Sequence, residues 1–195
     1  PHVEGAPHFT GGLVGYFTYE FYQYLEKEID FSAENSEDLP DVDLMLFDKI
    51  ICFDHYTHQT LIISHMSLKG NLEEEYLKSL DKIDRIYRLL MQGSSDIQTK
   101  GRMTGQLESR FSREEFREKV QKVQDYIRKG EVSQVVLSNY LSAPFQGSLL
   151  DSYRALRTIN PSPYMIYLSS RELEIAGASP ETLGTLENGK VKTYP

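Results

Sequence analysis

Residues 148–169 read SLLDSYRALRTINPSPYMIYLS, and this stretch places a helix and a strand back to back. Its first half predicts a helix that Ser148 caps. Pro161 and Pro163 stop that helix, because proline fixes φ and lacks a backbone N–H. The run from Tyr164 to Leu168 is apolar and aromatic, which is typical of a buried strand. This part of the chain is therefore predicted to contain a helix followed directly by a strand.

The same mixture extends along the whole chain. Residues 71–91 predict a helix capped by Asn71, and Ser112 with Glu115 forms the capping-box pattern at the start of another. The remaining apolar runs predict strands, and there is no internal repeat. These strands are 13–19, 42–54, 59–67, 133–141, 163–169, 173–179 and the hairpin 182–194. The sequence thus predicts an α+β fold, with mostly antiparallel sheets and helices packed outside.

Composition divides the chain into three regions. Residues 1–91 form an N-terminal region with a glycine-rich strand, a hairpin and a helix. Residues 92–111 are rich in Gly, Ser and Thr and lack periodicity, which predicts a linker. Residues 112–195 form the second structural half. The apolar face of the 71–91 helix repeats at helical spacing, and we expect it to pack in a core.

The 195-residue chain has 39% hydrophobic and 26% charged residues, as in ordinary globular proteins. Its formal net charge of -8, with no basic cluster, argues against nucleic acid and anionic membrane surfaces as partners. No apolar run approaches the roughly 20 residues that cross a bilayer. The single cysteine, Cys52, cannot form an intramolecular disulfide and fits a reducing, cytoplasmic compartment. We interpret Cys52 as a packed, unreactive thiol.

Two familiar kinds of site can be considered in the first half. His55, His58 and His65 suggest a metal site, but a solvated turn is favoured because no Cys or carboxylate stands at ligand spacing. The glycines of residues 11–15 have the wrong spacing for a dinucleotide-binding fingerprint. Neither pattern therefore predicts a cofactor.

Two polar residues of the second half are candidates for a site. Gln134 begins an apolar strand, where an amide either satisfies buried backbone groups or faces a cleft. Glu181 follows Pro180 just after a strand end, a position from which a carboxylate can act as a general acid or base. By residue type alone, both also have a purely structural interpretation.

The run of residues 134–168, followed by GASPETL and ENGKVKTYP, resembles the component I subunits of anthranilate synthases, which are chorismate-utilising enzymes. The resemblance is strong over roughly residues 110–195 and looser over 11–21 and 40–48. It implies part of a two-sheet sandwich and the conversion of chorismate and ammonia to anthranilate and pyruvate. It also implies Mg²⁺ in the parent enzyme and a glutamine amidotransferase partner that supplies ammonia.

The resemblance assigns roles to individual residues. Glu181 matches the family's active-site glutamate, a proton-transfer group near the reacting ring. Gln134 stands in the substrate pocket, where relatives that add water to chorismate carry a basic lysine, so it favours amination over isochorismate or salicylate formation. Pro163, Tyr164 and Met165 match the segment that binds tryptophan, the feedback inhibitor.

The resemblance also implies that this chain is a middle fragment, cut at both ends. The other wall of the tryptophan pocket would lie before Pro1, and the catalytic histidine and metal-binding glutamates would follow Pro195. We therefore expect no metal ligands in this chain and no activity from the chain alone. Strands should be left with open edges, which would favour self-association.

Two alternatives remain open at this point. The paralogue that makes aminodeoxychorismate for folate shares the fold and also aminates, although the tryptophan-binding segment favours anthranilate synthase. The segment that would discriminate these two enzymes follows residue 195. The other alternative is a non-catalytic module that only binds an amino acid.

Overall fold

We describe a computed structural model of the chain, which covers residues 5–28, 38–94 and 99–194. The chain divides into two compact units, Pro1–Ser95 and Asp96–Pro195, and each is described by itself.

The first unit begins with an antiparallel strand pair. Strand β1 (Gly12–Phe17) pairs with strand β2 (Val42–Phe47), and a 3₁₀ helix at Tyr19–Tyr24 follows β1. Gly15 lies against the β2 backbone so closely that a Cβ atom there would collide with the carbonyl oxygen of Asp43. The glycine in the middle of β1 is therefore required by the close approach of the two backbones.

The predicted hairpin after β2 is present. Strand β3 (Lys49–Asp54) pairs with strand β4 (Gln59–Ser64) in antiparallel register. The turn is fixed by the Asp54 side chain, whose Oδ1 accepts from the backbone N–H of Tyr56 at 2.8 Å and of Thr57 at 3.1 Å. A short acceptor at the end of β3 thus closes the turn without help from distant residues.

Helix α1 (Leu72–Gln92) begins and ends where its sequence signals predict. The Asn71 side chain caps it by accepting from the backbone N–H groups of Glu73 and Glu74, and these acidic residues suit the positive end of the helix dipole. Gly93 is the C-cap residue.

The prediction that the apolar face of α1 packs in a core is wrong for the described residues. The helix packs on β4 along one edge of this face, where Ile83 is half-buried and Ser79, 6% exposed, donates a hydrogen bond to the His65 carbonyl oxygen at 3.4 Å. Tyr76 is 54% exposed, because no described element covers its side of the helix. The predicted-face residues that are exposed are Leu72, Tyr76, Leu80, Tyr87 and Leu90.

The second unit contains a ribbon of short strands, two of which lie within the predicted linker. Strand β5 (Arg102–Met103) pairs with β8 (Phe145–Gln146), and β6 (Glu108–Ser109) pairs with β7 (Leu141–Ser142). The interpretation of 92–111 as a linker therefore does not describe its second part. These strands are too short for periodicity to show, and their partners lie far along the chain.

Helix α2 (Arg113–Arg128) has the predicted capping box. The Ser112 Oγ accepts from the Glu115 N–H at 3.2 Å, and the Glu115 carboxylate accepts from the Ser112 N–H at 2.8 Å. This reciprocal pair lowers the pKa of Glu115, because the carboxylate accepts from the Ser112 backbone N–H. Gly130 follows the helix with a φ of 75°, which suits a glycine.

The strand predicted over 133–141 is absent, except for Leu141 in β7. Val136 is 86% exposed, although the segment has a strand-like sequence. Just before β7, the Tyr140 carbonyl oxygen accepts a backbone hydrogen bond from the Arg110 N–H at 2.8 Å. A strand requires a neighbour to complete its ladder, and the described residues provide none for 133–139.

The remaining elements follow the predicted order. Helix α3 (Leu150–Ile159) leads into a hairpin of β9 (Tyr164–Ser169) and β10 (Glu174–Ser179). A last hairpin joins β11 (Gly184–Glu187) and β12 (Lys190–Thr193). Its two turn residues have the positive φ angles of a type I′ turn, 51° at Asn188 and 74° at Gly189.

The predicted α+β class with antiparallel strands is confirmed. The strand pairs of the described residues form two-stranded antiparallel sheets. Across residues 5–28, 38–94 and 99–194, no apolar side chain is fully buried. Helices α1 and α3 pack on strands of their own units. None of the helices that the structure describes is long and apolar enough to cross a membrane.

Candidate functional site

The β9–β10 hairpin places the candidate residues of the second unit. Its register pairs Tyr164 with Ser179 at one end and Ser169 with Glu174 at the other. Because the strands are antiparallel, the start of β9 and the end of β10 meet at the same end. Pro163, just before β9, and Glu181, just after β10, therefore lie at the same end of the hairpin.

Glu181 is exposed at this end and its backbone is held by a neighbour. Its N–H donates to the Ser179 Oγ at 3.4 Å. The carboxylate itself makes no hydrogen bond or ion pair to another residue in the part of the chain that the structure describes. A carboxylate without a structural partner among the described residues is available to exchange a proton with a ligand within hydrogen-bond reach.

Tyr164 connects the start of β9 with the segment that contains Glu181. Its hydroxyl is hydrogen-bonded to the Thr182 Oγ1, across the end of the hairpin. This contact lies on the far side of Glu181 from Ser179, so both flanks of Glu181 are attached to the hairpin. Sequence reasoning assigned Tyr164 and Glu181 to separate roles and did not foresee the contact. The predicted strands 163–169 and 173–179 have equal length and are joined by a short turn. This could have indicated that the start of the first lies beside the end of the second.

The segment before β9 contains an unsatisfied polar atom. The Ser162 Oγ is buried and has no hydrogen-bond partner among the described residues. Next to it, Pro163 and Tyr164 are exposed and Met165 is half-buried. A buried hydroxyl without a partner calls for an explanation, and a ligand with a polar group is one. Because successive strand residues alternate between faces, Tyr164 and Met165 offer apolar contact on opposite sides of β9.

The opposite end of the hairpin is organised by Glu174, which the sequence reasoning did not single out. Its carboxylate accepts from the Leu149 N–H at 2.5 Å, from the Ser148 Oγ at 3.1 Å and from the Tyr167 hydroxyl at 3.0 Å. Leu149 is the N-cap residue of α3 in place of the predicted Ser148, and it makes no side-chain cap bond, but the Ser148 Oγ accepts from the Leu150 N–H at 3.1 Å. A carboxylate within an otherwise apolar strand was the available signal.

These contacts determine the charge state of Glu174. The backbone N–H of Leu149 lowers the pKa of this carboxyl, with smaller contributions from the hydroxyls of Tyr167 and Ser148, against a partial burial that raises it. The anion also complements the positive end of α3. Glu174 therefore joins the start of α3 to the hairpin. This junction lies at the end of the hairpin opposite to Glu181.

The structure does not bring Gln134 into a described contact with the other candidates. Gln134 is exposed in the non-strand segment before β7, and its side chain makes no hydrogen bond to a described residue. Its predicted place in a substrate pocket thus stays a prediction.

The histidines of the first unit support the turn interpretation. His55 and His58 lie in the β3–β4 turn, and the His65 Nε2 is 2.7 Å from the Thr10 carbonyl oxygen. Over residues 5–28, 38–94 and 99–194, no group of three or more His, Cys, Asp or Glu could hold a metal ion. The described residues therefore do not fit the Mg²⁺ that the resemblance implies.

Comparison with known proteins identifies the family. Residues 2–195 match the family described as chorismate binding enzyme. Anthranilate synthase component 1 of Acetivibrio thermocellus is 36% identical over 201 residues, and that of Acinetobacter calcoaceticus is 37% identical over 204 residues. Each alignment covers 100% of this chain and 40% of the relative. The chain thus spans about two fifths of the length of these curated relatives.

A solved structure supports the same assignment. The crystal structure of anthranilate synthase component I from Streptococcus pneumoniae TIGR4 superposes with a TM-score of 0.79 at 26% identity, over 97% of this chain and 43% of that chain. The fold and the sequence therefore lead to the same group of proteins. Since the family match extends over residues 2–195, the chain belongs to the chorismate binding enzymes.

Proposed function

We propose that this chain is part of an anthranilate synthase component 1, which converts chorismate and ammonia to anthranilate and pyruvate. The proposal rests on the similarity of the whole chain to proteins of that name. The structural observation that carries it is the β9–β10 hairpin, which places Glu181 and the segment 162–165 at one end. A proton-transfer group and a regulatory segment would then be close neighbours.

Glu181 is proposed as the proton-transfer residue. Amination displaces the ring hydroxyl of chorismate, and loss of the enolpyruvyl group as pyruvate then makes the ring aromatic. Each step requires a proton to be delivered or removed, and an exposed carboxylate on a fixed backbone can do both. Gln134 fits an aminating enzyme, because ammonia is already a nucleophile and needs no lysine base.

Tryptophan is the proposed ligand of the segment at the start of β9. Its ammonium or carboxylate group would bind the Ser162 hydroxyl, and its indole ring would contact Tyr164 on one side of β9 or Met165 on the other. The proline on either side of Ser162 keeps this segment rigid and limits the entropy that binding would cost.

The rest of the active site is proposed to lie outside this chain. The described residues offer no group that could bind a metal, so Mg²⁺ would be held by other residues of the enzyme. A glutamine amidotransferase partner would supply ammonia in the cytoplasm. The 195-residue chain by itself would then not turn over chorismate.

The test is an assay of the complete native protein that contains this chain, with chorismate, ammonium and Mg²⁺. We expect anthranilate and pyruvate as products, and Glu181→Gln should lower kcat by about 10²–10⁴-fold, the range for loss of a general acid or base. Glu172→Gln, an exposed glutamate of the β9–β10 turn, is the matched control and should retain full activity. Accumulation of an aminated product that keeps its pyruvate would instead indicate the folate-pathway paralogue.

A further inference from the structure

We propose that Tyr164 is a positioning residue that couples ligand binding at residues 162–165 to the segment that contains Glu181. This inference rests on the proposed function and extends it to the regulation of the same site. Its basis is the hydrogen bond between the Tyr164 hydroxyl and the Thr182 Oγ1. Tyr164 is both part of the proposed inhibitor segment and a direct neighbour of the residue after Glu181.

Two attachments lie on either side of Glu181. On one side, Ser179 is paired with Tyr164 in the β9–β10 register, and its Oγ accepts from the Glu181 N–H. On the other side, Thr182 is tied to the Tyr164 hydroxyl. Both attachments lead to Tyr164, so a displacement of this residue acts on the backbone at both flanks of Glu181.

The exposed fractions of Tyr164, Thr182 and Leu183 are compatible with a movement that passes from Tyr164 to Thr182. Tyr164 is 43% exposed, so a ligand can reach its ring, while Thr182 is half-buried. Leu183, directly after Thr182, is exposed, so little holds the segment in place beyond the contacts already named. An inhibitor that packs on the Tyr164 ring can therefore shift the hydroxyl and release or reorient Thr182.

The coupling between the two ligands requires only a small difference in free energy. Allosteric coupling is a difference in ligand affinity between two states, typically about 5–150-fold. Gain or loss of one hydrogen bond between hydroxyl groups corresponds to about fivefold, at the lower end of that range. Coupling is reciprocal in binding, so chorismate should weaken tryptophan binding by the factor by which tryptophan weakens chorismate binding.

The experiment compares variants of the complete native protein in two measurements. Calorimetry gives the tryptophan Kd without chorismate, and kinetics give the activity that remains at saturating tryptophan. Tyr164→Phe removes the hydroxyl and keeps the ring, so we expect the Kd to change less than about twofold. The activity remaining at saturating tryptophan should rise at least about fivefold. Thr182→Val should change both quantities in the same way. The variant that carries both Tyr164→Phe and Thr182→Val should show no more remaining activity than either single variant.

Tyr167→Phe is the matched control. It removes a tyrosine hydroxyl from the same strand, but that hydroxyl is bonded to Glu174 at the other end of the hairpin. It should leave the inhibition unchanged. Inhibition of Tyr164→Phe equal to that of the wild type would overturn the proposal, as would equal loss of inhibition in Tyr167→Phe. A wild-type protein that makes anthranilate and responds to tryptophan would then still support the proposed function, whereas one that makes none would overturn both.

Discussion

At the scale of single residues, one carboxylate illustrates how much a side chain can organise. Glu174 is held by the Leu149 N–H and by the hydroxyls of Ser148, just before α3, and Tyr167 of β9, and it anchors the end of the hairpin away from Glu181. Ser162 is the opposite case, a buried hydroxyl without a partner among the described residues. The first residue has its interactions satisfied and is structural. The second has no interaction of its own among the described residues, which is why a ligand is proposed for it.

Glu174→Gln should destabilise the native protein by about 1 kcal/mol at pH 7, because the helix loses its charged N-terminal acceptor. Since folding lowers the pKa of Glu174, the unfolded chain binds more protons, and the contribution is present above the unfolded value of about 4.3. It is lost as the pH falls through the lowered folded pKa. Thermal melting from pH 7 to pH 3 should show wild type and variant converging, whereas Glu172→Gln should follow the wild type throughout.

Met165→Thr should relieve inhibition by tryptophan in the complete enzyme. Loss of an apolar contact in a pocket costs about 1–3 kcal/mol, so the concentration for half-inhibition should rise about tenfold or more. The turnover number should change little, because the proton-transfer role is assigned to Glu181. Pro163→Ala should act in the same direction through a less rigid segment. Met103→Thr, at an exposed position of β5, is the control, and full inhibition of both test variants would contradict the assignment.

At the scale of elements, the structure separates local from distant determinants. Helix α2 is closed by a reciprocal pair between Ser112 and Glu115, and the β3–β4 turn by Asp54. These contacts join residues a few positions apart. The sequence signals for elements of this kind therefore lie within a few residues of one another.

Ser112→Ala should weaken α2 even in isolation. In a peptide of residues 110–131, loss of the capping box should cost about 1 kcal/mol and lower the helical content measured by circular dichroism. Gln124→Ala, within the helix, is the control and should hold or raise the helical content, since alanine is the best helix former. Equal helicity of Ser112→Ala and the unsubstituted peptide would show that the cap does not stabilise the helix.

The same distinction explains what the sequence could predict. The helices, the β3–β4, β9–β10 and β11–β12 hairpins and the caps of α1 and α2 were predictable, because their signals lie within or next to each element, whereas α3 begins one residue later than the predicted Ser148 cap implied. The ribbon of residues 102–109 with 141–146 was not, because strands of two residues have no period. The strand predicted at 133–141 failed because its ladder has no partner among the described residues. Glu181 and the segment 162–165 could be named from the resemblance, but their proximity required the hairpin register.

At the scale of the whole molecule, the described residues leave much apolar surface uncovered. The apolar face of α1 is exposed, and so are strand residues such as Leu13, Leu46 and Phe53. Contiguous apolar surface of this kind marks sites that pack against other protein. The unpaired edges of two-stranded sheets add backbone groups that seek partners.

The isolated 195-residue chain should therefore self-associate. Sedimentation velocity at increasing concentration should show the mean sedimentation coefficient rising, and Val136→Lys with Leu46→Lys should reduce this rise, because both side chains are exposed. Lys49→Arg, which keeps the charge, serves as control. A single monomeric species at all concentrations would contradict the expectation.

The pairing of residues 102–109 with 141–146 also has a consequence for synthesis on the ribosome. The β9–β10 hairpin joins neighbouring segments, and hairpins of this kind close in about 1–10 μs once both strands have emerged. The ribbon must wait until α2 and the segment after it have been translated. At about 5–20 residues per second, this delay is on the order of seconds. Nascent chains would thus present residues 102–109 without a partner for long enough to be bound by chaperones.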